Sequence, residues 1–377
     1  MNLDFSEYQT MIKTQARDFL ERECPKSLVR EMEVSEDGYS RELWRKMAEL
    51  GWLGMAFPEK YGGSGGEFMD VAIIIEEMGR SLIPGPFLSS VVLGGLGILD
   101  AGSDRQREKF IPLIAGGDVT IAMALTEPAA SYMASGITTR AMHTNSMYSI
   151  EGSKLFVGYA NVCDYLLTIA MTGEAESPEN GLTAFLVPVK LPGIRCNVIP
   201  TIALDKQCEV VFQGTEVSQE DVLGDVGGGW RVIEKAMLRG AAAKCAEMVG
   251  GAEAVLEMAT SYAKDRVQYG RPIGSFQVIQ HYLANMWIDV ETARSISYEA
   301  IWKVSQGLPC KREVASAKGW VSQVYNRVTE RGIQIHGTIG LTRDHDVSLY
   351  YRRAKAAELA FGDLNYQREM IAQEIGL

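Results

Sequence analysis

The order in which three kinds of sequence follow one another constrains the fold more than any single motif does. Apolar residues recur at helical spacing from Phe5 to about Gly117, short β-type runs occupy about Val119 to Gly224, and helical spacing resumes at Trp230. A β-rich middle between two helical parts is an unusual order. We therefore predict an α+β fold with a helical domain over residues 1–118, a small antiparallel barrel or sandwich over 119–225, and a four-helix bundle over 226–377.

The charge balance narrows the classes of ligand. The chain carries a formal net charge of −11, and its sequence pI is near 5.1. An acidic chain is a poor general binder of nucleic acid, although a local arginine can still hold an anionic ligand. Glu76 and Glu77 fall in a helical stretch and are interpreted as solvated helix surface. We therefore expect no nucleic-acid partner.

The cysteines and the apolar segments indicate the cellular compartment. None of the six cysteines forms a CxxC pair or has histidines at zinc spacing, so we expect reduced thiols and no metal site. The N-terminal segment lacks the pattern of a secretory signal. The longest apolar runs are too short or too glycine-rich to cross a bilayer. We therefore expect a cytoplasmic protein without membrane contact.

Several short motifs point to one family. They are Ala124–Pro128 (ALTEP) at the end of the first β-type run, Arg266–Gly270 (RVQYG) at the end of a long helix, Phe276–Gln277, Gln334–Gly337 (QIHG), and the loop Pro58–Gly66. Together with the order of the three parts, these motifs resemble the acyl-CoA dehydrogenase superfamily over essentially the whole chain. The ALTEP and RVQYG motifs are specific in combination, whereas either one alone would be weak.

The resemblance implies both architecture and chemistry. It implies an N-terminal helical domain, a middle β-barrel and a C-terminal four-helix bundle that assemble as a tetramer with FAD. An acyl-CoA lies against the flavin, a carboxylate removes the α-proton, and the β-hydrogen leaves as hydride to the flavin. An electron-transfer flavoprotein is the expected electron acceptor. Because a thioester α-proton is weakly acidic, this chemistry needs a placed base and hydrogen bonds to the thioester carbonyl.

The same resemblance implies the residues that contact the cofactor and the substrate. Near the flavin ring, Leu125 and Thr126 would face its polar edge and Phe156 would pack on it. The residues implied to reach a neighbouring subunit's cofactor are Arg266, Gln277, Gln334 and Gly337. Tyr269 would lie near the adenine or would be a core aromatic, and Arg239 resembles an arginine of the substrate site. An arginine suits the pyrophosphate because its planar fork pairs with phosphate oxygens.

The sequence departs from the family where the catalytic base is expected. The usual glutamate follows an Arg-x-Ala-Lys segment, and by that register Phe361 stands in its place. Some members carry the base on the first long helix of the bundle, where this chain has Leu238 before Arg239. Neither Phe361 nor Leu238 can accept a proton. The nearest carboxylate, Asp363, is a weak candidate for the base.

The flavin site departs from the family unevenly. Tyr132 falls where a serine usually binds cofactor phosphate, and Gly158 falls where a threonine hydroxyl usually faces flavin N5. In contrast, the residues that would serve a neighbour's cofactor are all present.

Four interpretations follow from this pattern. The first is a subunit of an α2β2 acyl-CoA dehydrogenase for a bulky acyl-CoA, in which a homologous partner carries the base. The second is a self-sufficient homotetramer that uses another base. The third is a flavin-dependent monooxygenase on the same fold, and the fourth is a structural partner without activity.

Overall fold

The computed structural model describes residues 5–377. Its internal contacts divide the chain into two compact units. The sheet unit comprises Glu31–Glu67 and Pro84–Gly240, and the helical unit comprises the described residues up to Arg30 with Phe68–Ile83 and Ala241–Leu377. The three domains predicted from sequence are continuous stretches, whereas these two units interleave along the chain.

Helices occupy both ends of the chain and strands occupy its middle. The helices are α1 (Glu7–Glu23), α2 (Lys26–Val34), α3 (Arg41–Glu49), α4 (Phe68–Ser81), α5 (Leu96–Ala101), α6 (Asp104–Ala115), α7 (Gly229–Asp265), α8 (Gln277–Ser305), α9 (Lys311–His336), α10 (Asp346–Leu359) and α11 (Leu364–Glu374). The strands are β1 (Ile121–Ala124), β2 (Arg140–Thr144), β3 (Met147–Gly158), β4 (Tyr165–Met171), β5 (Leu182–Pro188), β6 (Ile194–Ile199), β7 (Gln207–Ser218), β8 (Val222–Leu223), β9 (Val267–Gln268) and β10 (Arg271–Pro272). This order confirms the predicted α+β fold.

The sheet unit is built on one eight-stranded sheet. Seven strands follow the order β6-β7-β3-β2-β4-β5-β8, and β1 pairs in parallel with β4. Most other pairs are antiparallel, and Asn145 and Ser146 both have positive φ at the tight turn between β2 and β3. Among the described residues, the hydrogen-bonded order ends at β6 and β8 without a pair between them. This sheet is the β domain that the sequence predicts between two helical parts.

Burial along the strands explains their sequences. Residues 166–170 of β4 are all buried, because this strand lies inside the sheet and is covered on both faces. In β7, buried and half-buried residues alternate from Cys208 to Phe212, as expected for a strand with one covered face. The covered faces form one apolar core with Phe185 and Phe212 among its largest side chains.

In the helical unit, α4 and α7 pack backbone against backbone. A Cβ added to Gly79 would lie 1.9 Å from the Glu247 carbonyl oxygen, and one added to Gly250 would lie 1.8 Å from that of Glu76. Both distances are far inside van der Waals contact. Only glycine at both positions allows the two helices to approach this closely.

A buried ionic cluster joins α4 to α1 and α8. Glu76 and Glu77 are fully buried. Glu76 accepts hydrogen bonds from Lys13 Nζ at 2.7 Å and from the Tyr298 hydroxyl at 2.6 Å, and Glu77 forms a two-pronged pair with Arg17 at 2.9 Å. The interpretation of Glu76 and Glu77 as solvated surface is therefore wrong. Both cations, Lys13 and Arg17, come from α1, which is remote from α4 in sequence.

The cysteines are largely buried. Cys24, Cys163, Cys208 and Cys245 are buried, and none of the six cysteines forms a disulfide. Burial raises the pKa of the Cys245 thiol to about 12 and also raises that of Cys163. In the part of the chain that the structure describes, no helix combines the length and the apolar character needed to cross a membrane.

Candidate active site

In the sheet unit, an irregularity in β3 turns an aromatic side chain outward. The pairing of β3 with β7 shifts register between Lys154 and Val157. Within this bulge Phe156 has φ +55° and is 55% exposed. The Leu155 amide donates to the Thr126 carbonyl at 2.7 Å. The bulge thus holds Thr126 and Phe156, both predicted to contact the flavin, next to each other.

A buried ion pair lies behind this segment. Lys154 Nζ is 2.7 Å from Glu127 Oε1, and their side chains are 0% and 2% exposed. The same ammonium donates to the Leu125 carbonyl at 3.4 Å. Glu127 also accepts from the amides of Thr138 at 2.7 Å and Thr139 at 3.1 Å. The pair therefore fixes the backbone at Leu125 and the segment that returns toward β2.

The sequence holds a signal for this pair that our motif reasoning did not use. Glu127 belongs to the ALTEP motif, and Lys154 stands two residues before Phe156. Burial opposes both charges, but Lys154 and the hydrogen bonds from Thr138 and Thr139 lower the pKa of Glu127 to about 2. Burial lowers the pKa of Lys154 to about 8, against the attraction of Glu127. Both groups are therefore ionised near neutral pH.

Arg239, the predicted substrate-binding arginine, is engaged within the sheet unit. Its guanidinium pairs with the Asp100 carboxylate, which also pairs with Lys235 Nζ at 3.0 Å. Leu238 beside it is half-buried. Asp100 thus lies between two cations, and its charge holds Arg239 against the end of α5. A role for Arg239 in substrate binding stays a prediction.

In the helical unit, the predicted cofactor residues lie on an exposed hairpin at the end of α7. Arg266 follows the last residue of α7, and its side chain is exposed and forms no ion pair with the other described residues. Tyr269 is 93% exposed and has φ +53°. The alternative interpretation of Tyr269 as a core aromatic is therefore wrong. Phe276 packs edge-on against Tyr269, and the Arg271 guanidinium lies over the Phe276 ring at 4.2 Å. The side chains of the hairpin are therefore exposed in this chain.

The end of α9 lies beside the end of α7. The rings of His336 and Tyr262 are 4.5 Å apart, and Tyr262 stands one helical turn before Arg266. Gln334 is exposed, and Gly337 has φ +68° with open space where a Cβ would point. This glycine permits a close backbone approach by a bound group.

Each unit, taken by itself, carries features that suit one part of FAD. The sheet unit offers an exposed aromatic face beside the Leu125–Thr126 backbone. The helical unit offers an exposed, unpaired Arg266, and the side chains of Gln277 and Gln334 are likewise exposed without a hydrogen bond to another described residue. An exposed guanidinium is suited to phosphate oxygens. Each assignment of a residue to the cofactor stays a prediction.

The turn after α10 carries the residue at the expected position of the base. Phe361 has φ +58°, a left-handed conformation that costs a non-glycine residue about 1–3 kcal/mol. Gln367 Nε2 donates to the Phe361 carbonyl at 2.8 Å, and Lys318 Nζ donates to the carbonyls of Glu358 at 3.0 Å and Gly362 at 3.3 Å. Two buried donors therefore hold Phe361 in a strained turn.

Asp363, the weak candidate for the base, begins α11. Its Oδ1 accepts a hydrogen bond from the Tyr366 amide at 2.9 Å, which is the geometry of a helix N-cap. Capping alone explains a carboxylate at this position. The assignment of Asp363 as a base stays a prediction.

Lys318 is fully buried without a carboxylate in hydrogen-bonding contact. Its third acceptor is the Ser322 hydroxyl at 3.0 Å. Burial lowers the pKa of Lys318 to about 8. Lys318 was not singled out from the sequence, because only the fold brings α9 beneath the turn that follows α10.

Comparison with known proteins agrees with this architecture. Models of the acyl-CoA dehydrogenase N-terminal, middle and C-terminal domains match residues 6–118, 122–215 and 227–376. The fold and site thus define a flavoprotein oxidoreductase. The chain belongs to the acyl-CoA dehydrogenase family, whose members are FAD-dependent and act on the CH–CH group of acyl-CoA.

Individual relatives resemble the chain along nearly its full length. The caffeyl-CoA reductase-Etf complex subunit CarC of Acetobacterium woodii is 31% identical, with 98% of each chain covered. Butyryl-CoA dehydrogenase from Megasphaera elsdenii is 29% identical with a TM-score of 0.92 and covers 100% of both chains. The structure of the ChsE4-ChsE5 complex from Mycobacterium tuberculosis matches at 28% identity and a TM-score of 0.91, covering 100% of this chain and 99% of that chain.

Proposed function

We propose that this chain is the base-lacking subunit of a heteromeric α2β2 acyl-CoA dehydrogenase that acts on a bulky acyl-CoA. The observation that carries the proposal is Phe361, an apolar side chain where the family resemblance expects the catalytic glutamate. Leu238, at the alternative position, is equally unable to take a proton. A chain without a base at either position gains little from binding the substrate alone, because uniform binding does not lower the barrier to proton removal.

The division of labour follows from which residues are present. FAD, when bound, supplies the two-electron acceptor. In this chain Leu125, Thr126 and Phe156 would orient the flavin ring, and Arg266, Gln277 and Gln334 would bind the phosphate-containing part of a cofactor held by a neighbour. A homologous partner would contribute the carboxylate that removes the α-proton.

Two of the similar proteins belong to complexes, which supports the proposal of a heteromeric enzyme. ChsE4-ChsE5 is a complex of two differently named chains, and CarC is named as a subunit of a complex with Etf. By analogy, the partner is a homologous subunit and the electron acceptor is an electron-transfer flavoprotein. The proposal of a bulky acyl group is based on the Phe-Gly-Asp sequence at residues 361–363. This sequence resembles that of family members that act on steroid-derived acyl-CoA.

The proposal is tested by restoring the missing group. In the chain purified without partners, Phe361→Glu should increase the rate of flavin reduction by an acyl-CoA on the order of 10²–10⁴-fold, the usual contribution of a general base. Phe361→Gln is the matched control, since it adds a polar side chain of the same length without a base. Full turnover by the unmodified chain as a homotetramer would contradict the proposal.

A self-sufficient homotetramer with Asp363 as base is the second candidate, because a capping carboxylate keeps a second oxygen. Asp363→Asn distinguishes the two roles, since asparagine caps a helix about as well as aspartate. We expect Asp363→Asn to keep both the thermal stability and the rate of flavin reduction. A loss of reduction without a loss of stability would instead identify Asp363 as the base.

A further inference from the structure

The amide of Gln207 occupies the space beside Gly158 at the end of β3. Gly158 and Gln207 are directly paired across β3 and β7. A Cβ added to Gly158 would lie 3.7 Å from Gln207 Nε2 and 3.8 Å from Oε1, which is ordinary van der Waals contact. A polar group therefore stands next to a position that has no side chain of its own.

The Gln207 amide is held in place from one side only. Its Nε2 donates to Asp205 Oδ2 at 2.6 Å, and the Thr201 hydroxyl donates to Asp205 Oδ1 at 2.6 Å. A primary amide has two N–H donors and a carbonyl acceptor. One N–H and the Oε1 atom thus keep no hydrogen-bond partner among the residues that the structure describes.

Exposed apolar side chains flank this amide along the chain. Phe156 precedes Gly158 by two residues, and Ile202 and Leu204 lie in the loop that leads to Gln207; all three are exposed. Exposed apolar surface around a fixed polar group with spare hydrogen-bonding capacity is the usual composition of a small-molecule site. The arrangement therefore suits a ligand that combines apolar surface with hydrogen-bonding atoms.

We propose that Gln207 hydrogen-bonds the polar edge of the flavin ring, a contact that Gly158 cannot make. The proposal rests on FAD as the cofactor and on ring placement at Thr126 and Phe156, and it does not depend on which subunit carries the base. An amide is suited to this role because it donates and accepts, so it can serve the ring before and after reduction. The gap left at Gly158 is filled from the neighbouring strand.

The test uses an isosteric change and a rescue. FAD is titrated into the apo chain and followed by flavin fluorescence and by the position of the visible absorption band. Gln207→Met, which keeps length but cannot hydrogen-bond, should weaken FAD binding about five-fold, the effect of one lost hydrogen bond. It should also shift the absorption band. In the double variant Gly158→Thr with Gln207→Met, the new hydroxyl should return the affinity to within about two-fold of the original.

Gln213→Met is the matched control, because Gln213 is an exposed glutamine on the same strand opposite Glu151. It should change neither the affinity nor the spectrum. If Gln207→Met does not fold, Gln207→Glu replaces it and must also weaken binding, since a carboxylate only accepts. Unchanged affinity and spectrum in the Gln207 variant, or no rescue by the threonine, would overturn the proposal. Turnover plays no part in this readout, so failure here is distinct from failure of the subunit assignment.

Discussion

Each unit buries one lysine completely, but the two lysines are satisfied in different ways. In the sheet unit, Lys154 contacts the Glu127 carboxylate at 2.7 Å. In the helical unit, Lys318 contacts only neutral oxygens, those of Ser322, Glu358 and Gly362. The pKa of both ammonium groups is lowered to about 8 by burial. Lys318 thus lacks the directly bonded carboxylate that Lys154 has, and the charges of Glu358 and Asp363 act on it without a hydrogen bond.

The two lysines share a position relative to the predicted sites. Lys154 donates to the Leu125 carbonyl, next to Thr126, and Lys318 donates to the Gly362 carbonyl, next to Phe361. Each thus fixes backbone at a segment with an expected ligand contact. They differ in what a mutation leaves behind: loss of Lys154 strands a buried carboxylate, whereas loss of Lys318 strands only carbonyl and hydroxyl groups.

The largest expected effect comes from breaking the ion pair. Lys154→Met should lower the free energy of unfolding by about 3–5 kcal/mol, because removing one partner leaves a buried charge uncompensated. The effect is measured by denaturant unfolding at neutral pH. The double variant Lys154→Met with Glu127→Gln is the control, and it should recover most of the loss because no buried charge remains. A single variant as stable as the original chain would show that Glu127 does not need its cation.

A smaller effect is expected from Lys318→Met. Three acceptors lose a donor, but the cost of burying an ammonium disappears, so we expect a loss of about 1–2 kcal/mol. The effect should also depend on pH. Because the folded-state pKa is near 8 and an unfolded lysine titrates near 10.4, the unfolded chain binds more protons between these values. The contribution of Lys318 to the free energy of unfolding therefore rises with pH between these two pKa values.

Lys318→Met should flatten this alkaline rise, as measured by unfolding at several pH values between about 8 and 10.4. The Lys154–Glu127 ion pair should in addition make the free energy of unfolding depend on pH in the acidic range, which Lys318 does not. The pKa of Glu127 is about 2 when folded and near 4.3 when unfolded, so its stabilisation is present above the higher value and is lost on acidification. If the free energy of unfolding of the Lys318 variant rises with alkaline pH as it does in the original chain, Lys318 is not the cause of that rise.

The sequence was sufficient for the parts of the molecule that depend on local pattern. Helical spacing and short β-type runs predicted the α+β order, and the ALTEP and RVQYG motifs predicted the family. Phe361 could be located because it follows Arg352–Lys355 at a fixed distance.

The sequence was insufficient where a contact depends on long-range register. Glu76 and Glu77 were assigned to the surface because local charge pattern does not show that Lys13 and Arg17 come to meet them. Gln207 could not be selected, since only the pairing of β3 with β7 brings it opposite Gly158. Lys318 likewise resembled any helical lysine. The contacts of these residues depend on tertiary structure, which no short motif records.

The buried thiols give each unit a built-in reporter of its own opening. Cys163 lies in the core of the sheet unit and Cys245 lies fully buried on α7 in the helical unit. Their raised pKa values keep them as thiols, whereas the nucleophile that attacks an alkylating reagent is the thiolate. Each should therefore react only when its surroundings open. The labelling rates of the two cysteines, read by mass spectrometry, would compare the local unfolding of the two units in a single sample.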